Sequence, residues 1–139
     1  MAPAPTAGYS GTPLAKKLGI VEDSRVLAID APADFASLLE PLPSSVRFDR
    51  RISAQTDVVV VFAKAANRLG ASLANLRARI RSDASIWVAW PKKAAKQPTD
   101  ITEDVVRELA LPLGLVDVKV CAISPVWSGL KLVIRKELR

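Results

Sequence analysis

Asp57-Val-Val-Val-Val-Phe62 is an unbroken apolar run of strand length, bounded by Gln55-Thr56 before it and Ala63-Lys64 after it. A strand with no polar alternation is buried on both faces, the habit of central strands in parallel sheets covered by helices. The residues that follow place Ala65, Leu69, Leu73, Leu76 and Ile80 at three- and four-residue intervals, with Arg68, Arg77, Arg79 and Arg81 off that stripe. The spacing predicts an amphipathic helix over 65–81. Ser85-Ile-Trp-Val-Ala-Trp90 then reads as a second apolar strand. Strand, helix and strand in this order make a right-handed parallel crossover.

Working outward, Tyr9-Ser-Gly-Thr-Pro-Leu-Ala-Lys-Lys-Leu-Gly19 reads as a compact helix. Thr12 is the expected cap, Pro13 the first turn and Gly19 the stop. Val26-Leu-Ala-Ile29 is a strand ending at Asp30, and Ala31-Pro-Ala-Asp34 is a turn into a helix carrying Phe35, Leu38 and Leu39 inward. Pro41 and Pro43 end that helix, and Val46-Arg-Phe48 is a short strand with Asp49 following it. Beyond the polar loop 91–98, Asp100 and Glu103 have capping-box spacing ahead of Val105, Val106 and Leu109. Residues 115–123 and 130–134 are two β-rich runs whose short link predicts antiparallel pairing. The expected architecture is α/β: a mostly parallel six-stranded sheet flanked by helices and ending in an antiparallel pair. Residues 1–8 read as a flexible tail and 9–139 as a single domain.

Composition narrows the chemistry. The chain has 139 residues, half of them hydrophobic, a net charge of +6, one cysteine and no histidine. Without histidine, Ser-His and Cys-His nucleophiles and the commonest metal ligand are excluded. A lone cysteine, Cys121, excludes an internal disulfide and a cysteine metal site, and makes a cytoplasmic location the expectation. No stretch reaches the roughly 18 apolar residues of a membrane span. The basic residues are scattered, with neither a recognition helix nor interleaved aromatics, so nucleic-acid binding is not favoured.

Leu76-Arg-Ala-Arg-Ile-Arg-Ser-Asp-Ala-Ser-Ile-Trp-Val-Ala-Trp90, with Leu113-Gly-Leu-Val-Asp-Val-Lys-Val120 and Leu130-Lys-Leu-Val-Ile-Arg-Lys136, resembles the late helix and strands of class I S-adenosylmethionine-dependent methyltransferases. Val26 to Asp30 is similar to the first strand of that Rossmann-like fold, and Asp57 to Phe62 to its fourth. No cofactor is expected from the residues themselves; the resemblance implies S-adenosylmethionine as the alternative, met by Asp30 and Asp49, the latter where an acidic residue meets the ribose hydroxyls. Two departures stand against it. The turn Asp30-Ala-Pro-Ala-Asp34 holds no glycine, and the interval from Phe48 to Asp57 is too short for a further helix, strand and helix. The chain therefore resembles an abridged methyltransferase fold. Gly8-Tyr-Ser-Gly-Thr-Pro-Leu-Ala-Lys-Lys-Leu-Gly-Ile20 and Trp87-Val-Ala-Trp-Pro-Lys-Lys93 further resemble an uncharacterised bacterial family known only as a domain of unknown function.

Ligands of open α/β sheets bind outside the carboxyl ends of the strands. That edge is expected to gather Asp30, Asp49, Lys64, Trp90, Lys92 and Lys93, with the lysines meeting an anionic or nucleotide-like ligand and Trp90 stacking on it. The alternative is a packed rim beside a solvated lysine pair. Trp87, three residues from Trp90, points to the other face and into the core. Trp127 is expected in the loop between the last strands, pinning it or forming part of an interface. Cys121 reads as a small buried hydrophobe, and Ser10 and Thr12 as caps. No catalytic residue and no metal site stand out. The preferred function is a non-catalytic domain that binds a small ligand or protein partner at this edge. A small active methyltransferase and a nucleic-acid binder are the alternatives. A homodimer would cover the exposed sheet edges.

Overall fold

The computed structural model describes residues 11–139; the expected tail at 1–8, Tyr9 and the Ser10 cap lie outside the described residues. Six strands form one sheet in the order β2-β1-β3-β4-β6-β5. They are β1 (Arg25–Ile29), β2 (Arg47–Asp49), β3 (Val58–Phe62), β4 (Ser85–Pro91), β5 (Leu115–Ala122) and β6 (Trp127–Ile134). The first four pair in parallel, and β6 pairs antiparallel with both β4 and β5. The strand-helix-strand crossover and the closing antiparallel pair are as the sequence predicts.

Helices cover both faces. On one, Leu69, Leu73 and Leu76 of α3 (Ala66–Arg79) and Val106 and Ala110 of α4 (Glu103–Ala110) pack with Val59, Val61, Ile86, Val88 and Leu132. On the other, Leu14 and Ala15 of α1 (Leu14–Lys17) and Phe35 of α2 (Phe35–Leu38) pack with Val58, Val60, Phe62, Trp87 and Ala89. Alternate residues of β3 thus feed alternate cores, and each stays at 3% exposure or less. Fully burying such a valine is worth roughly 1.5–3 kcal/mol, so β3 and β4 supply the densest part of the stabilisation. Trp87 is wholly buried and donates from Nε1 to the Leu18 carbonyl at 3.0 Å, tying the end of α1 to the sheet.

Four local expectations are corrected. Pro13, not Thr12, stands at the N-cap of α1, where its carbonyl accepts from Lys17 N at 3.1 Å without a side-chain capping bond of its own. Gly19 does close the helix, at φ +80°. Asp100 and Glu103 form no capping box: Thr102 caps α4 by accepting from Val105 N at 3.2 Å, while Asp100 reaches back to accept from Ala66 N at 2.7 Å and caps α3. Asp49 lies within β2, and Trp127 opens β6 opposite Pro91, so neither sits in a loop.

Candidate functional site

The chain leaves β1 toward β2 on one side and returns to place β3 on the other. Where strand order reverses in this way, a crevice opens at the carboxyl ends of the two inner strands. Here it is a cavity of about 300 Å³ lined by Asp30, Lys64, Arg68, Ser72 and Trp127 over the end of β3. Asp30 follows β1 at φ +54°, a left-handed conformation that aspartate tolerates better than most residues. Lys64 follows β3; its carbonyl accepts from Thr99 Oγ1 at 2.7 Å and from Asp100 N at 3.3 Å, which fixes the backbone and leaves the ammonium exposed. Arg68 lies one turn on, in the Asp100-capped first turns of α3, and is also exposed.

Neither cation forms an ion pair among the described residues, whereas Arg25, Arg81 and Arg107 are all paired to carboxylates. The far wall is a packed aromatic row: Trp127 meets Phe62 edge-on at 5.1 Å and 90°, and Phe62 meets Phe35 at 4.9 Å and 73°. The site therefore offers two uncommitted cations, one carboxylate and an aromatic wall held by packing.

Two of the expected edge residues, Asp30 and Lys64, come together here with Trp127, the aromatic expected at an interface. Arg68 and Ser72 join them, and the sequence reading missed both; the four-residue step from Lys64 to Arg68 across the strand-helix turn was the available signal. Trp90, Lys92 and Lys93 lie apart, in a neighbouring cavity of about 500 Å³ shared with Gln97, Thr102 and Ser128. The expected stacking platform is not open, because Trp90 is 7% exposed and belongs to the α3–α4 core. Asp49 lines neither cavity. Its carboxylate is 7% exposed, paired with Arg25 at 2.9 Å and accepting from Thr56 Oγ1 at 2.8 Å. Cys121 is half-buried, and burial pushes its thiol pKa up against the opposing pull of Lys17, Lys119 and Lys92, which keeps it a poor nucleophile. No metal-ligating cluster of three or more acidic, cysteine or histidine side chains occurs among the described residues, and no described helix is long and apolar enough to cross a membrane.

Comparison with known proteins adds a family and a fold. The family described as "Protein of unknown function (DUF3052)" matches residues 15–136. No curated protein matches the chain. Among solved structures, a SAM-dependent methyltransferase from Aquifex aeolicus superposes with a TM-score of 0.61 at 12% identity, covering 87% of each chain. Aeropyrum pernix fibrillarin, described in complex with natively bound S-adenosyl-L-methionine, gives 0.56 at 12% identity over 86% of this chain and 73% of its own. A protein described as a pericyclic reaction enzyme gives 0.53 at 12% identity over 89% of this chain and 47% of its own. At such identities the likeness is one of fold, and the fold is methyltransferase-like.

Proposed function

The chain belongs to the DUF3052 family, and we propose that it is a non-catalytic, methyltransferase-like domain that binds a small anionic molecule, a carboxylate or phosphate, in the crevice between β1 and β3. One observation carries the reading: Lys64 and Arg68 both face a cavity at the switch point of the sheet with no carboxylate partner among the described residues. The two cations meet the anion, Asp30 accepts from an amine or hydroxyl on the same ligand, and Trp127 closes the wall. At about 300 Å³ the cavity sits at the lower end of the range for small-molecule sites. A cytoplasmic setting, and action of residues 9–139 as one unit, belong to the same reading.

The neighbours' cofactor supports a second reading, a small methyltransferase using S-adenosylmethionine. This chain's own residues fit that cofactor poorly. The carboxylate aligned with the ribose position, Asp49, is consumed by Arg25 and Thr56. The turn after β1 has Pro32 in place of an N–H donor and no glycine to let a ligand approach the backbone.

Both readings are tested by titrating the full chain with pyrophosphate and citrate, followed by tryptophan fluorescence, and with S-adenosylmethionine, followed by calorimetry. The anion-site reading expects saturable quenching by at least one anion, weakened tenfold or more in Lys64→Ala and Arg68→Ala, and no heat from S-adenosylmethionine. Quenching indifferent to both substitutions removes it. Saturable micromolar heat from S-adenosylmethionine, lost in Asp30→Ala, establishes the second reading instead.

A further inference from the structure

At the far end of the sheet from β2, the strand β5 pairs with β6 and, among the described residues, with nothing on its other side. Its outer row of backbone N–H and C=O groups is therefore presented for pairing. Natural edges are commonly blunted by charge; on β5 the Asp117 carboxylate is taken up by Arg107, and the charge beside residues 119–122 is of one sign. A groove of about 460 Å³ runs beside the edge, lined by Lys16 and Lys17 of α1 and by Lys119, Val120 and Cys121 of β5, with no carboxylate among its lining residues. Lys17, Lys119 and Lys92 all bear electrostatically on the Cys121 thiol, so the positive field converges on this end of the strand. Apolar surface accompanies it: Val118 is 54% exposed and Val120 is 53% exposed, both unusual for valine in a strand. A register shift between Asp117 and Lys119 marks the amino-terminal half, and beyond it Lys119 to Ala122 run in regular register with β6.

We propose that the outer edge of β5 is a docking strand for an extended acidic segment of a partner protein. Main-chain hydrogen bonds from residues 119–122 supply affinity, as in other cases where a peptide adds a strand to a sheet. Specificity comes from carboxylates placed against Lys16 and Lys119, with small apolar side chains over Val118 and Val120. Charge complementarity selects this occupant over two others. A second copy of the chain, adding β5 to β5, brings Lys119 and its neighbours against an identical set, and like charges on facing strands are destabilising. The chain's own Met1-Ala-Pro-Ala-Pro-Thr-Ala-Gly-Tyr-Ser10 contains no aspartate or glutamate to meet the lysines.

The test uses the full chain and a fluorescein-labelled seven-residue peptide of alternating Glu and Val, read by anisotropy at low salt. Binding is expected to weaken at least tenfold in Lys16→Glu/Lys119→Glu, to persist in Lys119→Arg, and to fail for the same peptide with Lys in place of Glu. A charge-reversed protein that binds equally well, or a Lys peptide that binds as tightly, overturns the proposal. Hydrogen exchange on the unliganded wild type is the control for folding and occupancy. Outward amides of residues 119–122 are expected to exchange fast and to slow when the Glu peptide is added. Slow exchange without peptide, or a dimer by sedimentation at micromolar protein, shows the edge already covered and overturns it as well.

Discussion

Arg25 holds the Asp49 carboxylate across two neighbouring parallel strands, with Nε at 2.9 Å and Nη2 at 2.9 Å from the same oxygen. The other oxygen accepts from the Thr56 hydroxyl, whose residue is wholly buried. An acidic residue that resemblance places at a cofactor is instead the clasp that fastens the short edge strand β2 to β1. Asp49→Ala is expected to lower stability by about 1–3 kcal/mol, the cost of leaving buried hydrogen-bonding groups without partners. Urea denaturation measures it, and anion binding at the crevice between β1 and β3 should be unchanged in the same variant.

Trp87→Phe removes the indole N–H that satisfies the Leu18 carbonyl at 3.0 Å, in a side chain with no exposed surface. The orphaned carbonyl alone costs about 1–3 kcal/mol, and the void left by the smaller ring adds to it. The urea midpoint should fall with an unchanged slope. An unshifted midpoint would mean that α1 is not anchored through this bond.

Asp100 and Thr102 cap two different helices from one short segment. Asp100→Ala and Thr102→Ala should each cost about 1 kcal/mol by thermal or chemical denaturation. Only Asp100→Ala is expected to disturb the crevice, since its loss frees the start of α3, where Arg68 stands. Anion affinity measured in the two variants separates these effects.

Arg107, hydrogen-bonded to Asp117 at 2.9 Å, holds that carboxyl below its usual range. A carboxylate whose folded value is depressed contributes stability above its unfolded value and loses it as pH falls through the folded one. Asp117→Asn should therefore be less stable than wild type at neutral pH, with the gap closing as pH drops below about 4. Urea midpoints across the acid range give the comparison, and a gap that persists in strong acid would assign the effect to something other than ionisation.

The fold was legible where burial is periodic. The Leu69, Leu73 and Leu76 stripe and the uninterrupted apolar strand 58–62 each name their environment from spacing alone. Partner choice was not legible, because it is made across the tertiary structure. Asp49 meets Arg25 over 24 residues and Asp100 meets Ala66 over 34, and neither pairing leaves a local trace. Trp127 was misplaced because Ser128-Gly129 reads as turn chemistry. Gly129 instead lies inside β6 opposite Ala89, where an added Cβ would come within 2.9 Å of Ile123 Cδ1. A strand glycine can mark such a close approach as well as a turn. At the site, Asp30 and Lys64 were legible as residues ending strands. Trp90 was not, since one more residue of regular strand turns a rim aromatic into a core one.

β6 follows β5 in the chain but fills the slot between β5 and β4. Vectorial synthesis on a ribosome therefore delivers all seven residues of β4, every one of them buried in the finished sheet, before the strand that covers their open edge exists. Until residue 134 has emerged, the nascent polypeptide carries a bare apolar edge beside a parallel sheet that can otherwise assemble. That interval is when chaperone capture is most favourable and when misassembly between nascent chains is most costly.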